Sequence, residues 1–127
     1  MEDYIKGSFY GAAIGDALGG PVEDLSRDQI RQKFGTIKDM VGGGKLNLKP
    51  GEFTDDTHML LQVAEGILSN PTSPIDEIGK RFLIWYRARP DAVGYTTALS
   101  LDNYLRKGDW KEAAKITART INKLDSN

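Results

Sequence analysis

With 127 residues the chain has room for one domain, residues 1–127, which would bury about two thirds of the surface exposed by its unfolded form. Hydrophobic residues make up 39% and charged residues 28%, and 17 basic against 18 acidic side chains leave a net charge of −1, which excludes a general attraction to nucleic acid or to a membrane surface. There is no cysteine and a single histidine, so neither a disulfide framework nor a Cys/His zinc site can be assembled; the lack of cysteine suits a reducing compartment.

Helical signals follow one another along the chain. The spacing predicts a first helix from Asp3 to Leu18, in which Phe9, Ala12, Ala13 and Asp16 share one face. Glu2 and Asp3 open this stretch and Asp16 interrupts its apolar run. Neither a signal h-region nor a membrane span can therefore be drawn, and the protein reads as cytoplasmic. A carboxylate on an apolar face needs a cation or several donors to offset its desolvation, so Asp16 either bonds nearby backbone amides or an Arg, or serves a site. Gly19, Gly20 and Pro21 predict a stop and a sharp turn that carries Glu23 on a loop.

Ser26 and Gln29 make a capping box for a second helix that reaches Phe34. Gly42-Gly43-Gly44 and Pro50-Gly51 then bracket a polar loop in which Lys45 to Leu48 leave room for a short extended pair. A third helix starts within Thr54 to Thr57, turns Met59, Leu60, Val63, Ala64, Ile67 and Leu68 inward, and stops at Asn70-Pro71. The fourth takes Ser73 as cap and Pro74 as its first residue. Ile75, Ile78, Phe82, Leu83 and Trp85 form its core stripe, and Arg89-Pro90 ends it. A fifth spans Thr96 to Arg106, and a sixth opens at Asp109, boxed with Glu112, and continues to Leu124. Lys80, Arg81, Arg87 and Arg89 form a basic cluster, a solvated helix face unless Arg87 or Arg89 meets a substrate phosphate. Trp85, Tyr86, Tyr104 and Trp110 read as helix-contact residues rather than a base-stacking platform. Short-linked helices in succession predict an all-α, compact multi-helix bundle.

Chemistry concentrates at Gly51-Glu52-Phe53-Thr54-Asp55-Asp56-Thr57-His58-Met59. Two adjacent carboxylates flanked by hydroxyls are oxygen ligands suited to Mg²⁺, Mn²⁺ or Ca²⁺, although Thr and Asp at a helix start are also what capping and the helix dipole favour. Adjacent residues point about 100° apart on a helix, so both aspartates reach one ion only at its frayed start. A lone His58 offers no nucleophile-base pair.

Taken with Gly11-Ala12-Ala13-Ile14-Gly15-Asp16-Ala17-Leu18-Gly19, Glu23 and Arg89-Pro90-Asp91-Ala92-Val93-Gly94-Tyr95-Thr96-Thr97, this segment resembles the ADP-ribosylglycohydrolase family, enzymes that remove ADP-ribose from modified proteins and related conjugates. The likeness covers nearly the whole chain, as the N-terminal part of such an enzyme. It implies that Thr54, Asp55 and Asp56 belong to the first group of ligands to two magnesium, or manganese, ions. It also implies that Glu23 lies close to the metals and the scissile bond, with Glu23 or an aspartate such as Asp56 handling the proton. By the same likeness Asp16 gives structural support, and Asp91 and Gly94 border the substrate pocket. Phe53 stands where many relatives carry Trp.

Further metal ligands of the family come from an Asp-x-Asp-Thr-type motif near the C-terminus, and a Gly-Asn-Gly-type loop helps hold the substrate; neither occurs here. After Asp56 the aspartates are Asp76, Asp91, Asp102, Asp109 and Asp125, and no two of them form an Asp-x-Asp pair. The expectation is half a metal site in a truncated or split member, completed by a complementary C-terminal chain and prone to self-association. An ADP-ribosylated protein or an ADP-ribose-type small molecule is the implied partner. A non-catalytic ADP-ribose-binding module and a degenerate structural fragment are the alternatives.

Overall fold

The computed structural model describes residues 1–89 and 93–124. Its α-helices are α1 (Glu2–Gly19), α2 (Arg27–Phe34), α3 (Asp55–Ser69), α4 (Ile75–Ala88), α5 (Tyr95–Lys107) and α6 (Trp110–Leu124), with a 3₁₀ turn at Gly20–Val22 after α1. Extended pairing among the described residues is confined to one bridge, Gly43 with Leu48. The chain is therefore all-α, as its periodicity predicts. It divides into two compact units, Met1–Leu61 and Gln62–Asn127, the division falling within α3.

In the first unit, Glu2 and Asp3 place negative charge on the first turn of α1, where the helix dipole favours it. The predicted Gly-Gly-Pro stop takes a different form. Gly20 has φ −51°, a right-handed helical value, and the chain tightens into the 3₁₀ turn instead of leaving through a left-handed glycine. What requires glycine at 20 is space, because a Cβ there would stand 2.7 Å from Thr54 Cγ2 and 2.9 Å from Leu48 Cδ1. The loop before α3 is folded over the same turn. Gly44, at φ +71°, lies so close to Pro21 that a Cβ would stand 2.8 Å from its Cα, and Leu48 is buried beside the bridge to Gly43. Both halves of the Ser26–Gln29 capping box on α2 are formed.

In the second unit α4, α5 and α6 pack in sequence. Trp85, Leu101 and Ala113 form its apolar centre, and the buried Asn103 Nδ2 donates to Thr117 Oγ1 at 3.0 Å. Gly79 leaves no room for a Cβ against the Trp110 ring, which stacks on Tyr104 with centroids 3.5 Å apart. Trp85 and Trp110 are thus packing residues, as expected. Gly108 ends α5 in the left-handed conformation, and Asp109 Oδ1 accepts from Glu112 N at 2.7 Å to cap α6.

Several core assignments need correction. Ile67 and Leu68 of α3 and Ile75 of α4 are exposed, at 45%, 79% and 64%, because the apolar stripe is wider than the surface that covers it here. Ser73 does not cap α4. Its N–H donates to Asn70 Oδ1, and Pro74 takes the cap position with Ile75 as the first helical residue. On α1 the Phe9–Asp16 face is at most half-buried, and Ala17 is the buried residue of the helix.

Candidate functional site

The first unit brings the C-terminal half of α1 against the start of α3. The carbonyl of Thr54 accepts from His58 N at 3.3 Å, which makes Thr54 the N-cap residue. An N-cap threonine ordinarily turns its hydroxyl back to the amide three residues on. Here that amide, of Thr57, donates instead to Asp16 Oδ2 at 3.0 Å, and the Thr54 amide donates to the same oxygen at 3.0 Å. Both hydroxyls follow, Thr57 Oγ1 to Oδ2 at 2.6 Å and Thr54 Oγ1 to Oδ1 at 2.7 Å. A carboxylate 38 and 41 residues away in the chain thus caps α3.

Burial would raise the Asp16 pKa, but the bonds from Thr57 and Thr54 outweigh it and hold the carboxyl below its ordinary 3.8. Asp56 behaves in the opposite way. Desolvation, followed by the negative charges of Asp55 and Asp16, pushes its pKa up. Among the described residues no ion pair reaches Asp16 or Asp56. The site therefore holds a surplus of negative charge on oxygen donors, an arrangement that a hard divalent cation fits.

Asp16, Glu23, Thr54 and Asp56 line one open cleft of about 520 Å³, together with glycines of α1 and the turn that follows it. Its floor is small because Gly11, Gly15 and Gly19 recur every fourth residue on one face of α1. Asp55, one residue earlier and so about 100° round the helix from Asp56, is half-buried and is not among the residues lining the cleft. Phe53 packs edge-on against His58 with ring centroids 5.0 Å apart. Gly94 caps the N-terminus of α5 in the second unit, and Asp91 lies outside the described residues. No group of three or more His, Cys, Asp or Glu side chains is placed to hold an ion among the described residues.

The sequence places Thr57 at the helix start and counts its hydroxyl among the oxygens flanking the two aspartates, but its bond to Asp16 escapes that reading. Its signal was the i, i+3 spacing from Thr54, which puts two hydroxyls on one helical face with no local partner. The glycine spacing of α1 was equally visible and equally unused.

The family model for ADP-ribosylglycohydrolase matches residues 1–123. The chain is 38% identical to the ADP-ribosyl-[dinitrogen reductase] glycohydrolase of Rhodospirillum rubrum, over 85% of this chain and 37% of that protein. It is 39% identical to the ADP-ribosylarginine hydrolase Tri1 of Serratia proteamaculans, over 84% of this chain and 30% of that protein. A solved structure described as an ADP-ribosylglycohydrolase-related protein complex superposes with a TM-score of 0.66 at 40% identity, over 81% of this chain and 33% of the other. The chain thus spans about a third of the length of these relatives.

Proposed function

Since the chain belongs to the ADP-ribosylglycohydrolase family, we propose that it supplies the first half of a magnesium-dependent site that hydrolyses the glycosidic bond between ADP-ribose and a protein side chain or related conjugate. The name of the Serratia proteamaculans relative supports arginine-linked ADP-ribose as the first substrate to try. The observation that carries the reading is that Glu23, Thr54 and Asp56 line one cleft. Thr54, Asp55 and Asp56 would hold the metal, Mg²⁺ or Mn²⁺. Once bound, such ions orient ribose hydroxyls and acidify a water. Glu23, exposed at the rim, is the candidate to take the proton from that water, with Asp56 as the other carboxylate within the cleft. The small floor of α1 leaves room for a sugar or a phosphate against the backbone.

Titration calorimetry with ADP-ribose and Mg²⁺, beside a hydrolysis assay on ADP-ribosylarginine, tests this reading. Metal-dependent binding lost in Asp55→Ala and Asp56→Ala supports a metal half-site. Metal-independent binding would make the chain a binding module, and no specific heat would leave the acids with structural work alone. The cysteine-free composition is the support for a reducing, cytoplasmic setting, which we propose beside this function. No helix among the described residues is long and apolar enough to cross a membrane.

A further inference from the structure

The two oxygens of Asp16 do different work. Oδ2 accepts the amides of Thr54 and Thr57 and the Thr57 hydroxyl, and these bonds suffice to cap α3. Oδ1 accepts one bond, from the Thr54 hydroxyl. A threonine hydroxyl has one proton and two lone-pair sites. With the proton committed to Oδ1, Thr54 Oγ1 has only acceptor character to offer the cleft that Thr54 lines.

We propose that Asp16 is a positioning residue that accepts the hydrogen bond of the Thr54 hydroxyl and so fixes this oxygen as a lone-pair donor to a divalent cation in the cleft. The inference rests on the metal-dependent reading above. Thr54 is 5% exposed, so bulk water competes poorly for its proton. Its methyl is held as well, because a Cβ at Gly20 would stand 2.7 Å from Thr54 Cγ2. Methyl and hydroxyl are thereby both assigned, which leaves the side chain one rotamer. Capping needs neither feature.

Asp16→Asn separates the two roles. An amide retains one carbonyl oxygen, which the three donors at Oδ2 demand, and places its NH₂ where Oδ1 stood. There it donates to Thr54 Oγ1, so the cap survives while the polarity of the hydroxyl is reversed. The probe is Mn²⁺ alone, titrated into the 127-residue chain and followed by water-proton relaxation, with amide exchange at Thr57 reporting the cap. In Asp16→Asn we expect Thr57 protection to persist while Mn²⁺ affinity falls about 10- to 100-fold, the usual scale for loss of a residue that orients a ligand. Thr54→Val should fall similarly, Thr54→Ser should stay close to wild type, and Asp16→Asn added to Thr54→Val should cost nothing more. Unchanged affinity in Asp16→Asn, with Thr54→Val weakened, overturns the proposal and leaves the metal reading standing. Should Asp16→Asn lose Thr57 protection, equal affinities for Thr54→Ser and Thr54→Val overturn it instead. No Mn²⁺ binding by wild type, or binding that survives both Asp55→Ala and Asp56→Ala, overturns the metal reading and this proposal together.

Discussion

Asp16 and Asp56 share one cleft and pull stability in opposite directions. Asp16 is ionised below the usual carboxylate range because four hydrogen bonds favour its charged form. Its contribution is fully present above its unfolded value and is lost as pH falls through the lowered folded value. Asp16→Ala strands the buried hydroxyls of Thr54 and Thr57, and should cost about 3 kcal/mol in urea denaturation at pH 7, a loss that shrinks in acid. Asp56 is raised, so its ionised form opposes folding, and the penalty is present above the folded value and disappears below the unfolded one. Asp56→Asn should therefore stabilise the metal-free chain at pH 7 by a few tenths of a kcal/mol, about what a largely exposed, screened charge contributes. The same change should abolish Mn²⁺ binding. A variant less stable than wild type at pH 7 would show that Asp56 has a favourable partner. From the sequence, Asp16 was legible as a carboxylate in need of compensation. Its partner was not, since the donors lie 38 and 41 residues away and no local pattern encodes a contact of that range.

At the scale of elements, the helices were legible because capping and apolar period are local. Ser26 with Gln29, and Asp109 with the amide of Glu112, mark the starts of α2 and α6 through contacts of three residues. The exposed Ile67, Leu68 and Ile75 were misread because period identifies an apolar face and not what covers it. Glycines show the same divide. Gly15 has no atom within 4 Å of its would-be Cβ, whereas at Gly44 and Gly79 the position is occupied, by the Pro21 backbone and by the Trp110 ring. Gly15→Ala should stabilise α1 by about 0.5–1 kcal/mol while narrowing the cleft, so thermal stability rises as ADP-ribose binding weakens. Gly79→Ala should destabilise by about 1–3 kcal/mol, since the ring has to move. Equal and opposite outcomes in the melting curves would reverse this assignment of free and filled space.

On the scale of the whole molecule, family membership and an all-α fold sit beside a chain that spans about a third of its relatives' length. Apolar side chains stand exposed on several helices, among them Tyr4 at 83% and Tyr10 at 68% on α1, Leu68 at 79% on α3 and Ile84 at 67% on α4. Such surface favours association, so sedimentation at rising concentration should show oligomers that dilution disperses. Hydrolysis needs more than the cleft now holds. Magnesium takes about six near-octahedral ligands and sheds water reluctantly, and no group of three acids or imidazoles surrounds a common point among the described residues. Mn²⁺ should therefore bind weakly, and ADP-ribosylarginine should turn over slowly or not at all with these 127 residues alone. Adding a polypeptide that carries the remaining two thirds of the Rhodospirillum rubrum relative should raise turnover, and Asp56→Ala should remove the gain. Robust hydrolysis by the 127-residue chain alone, lost in Asp56→Ala, would mean that the oxygens of this cleft bind and activate without any further ligand set.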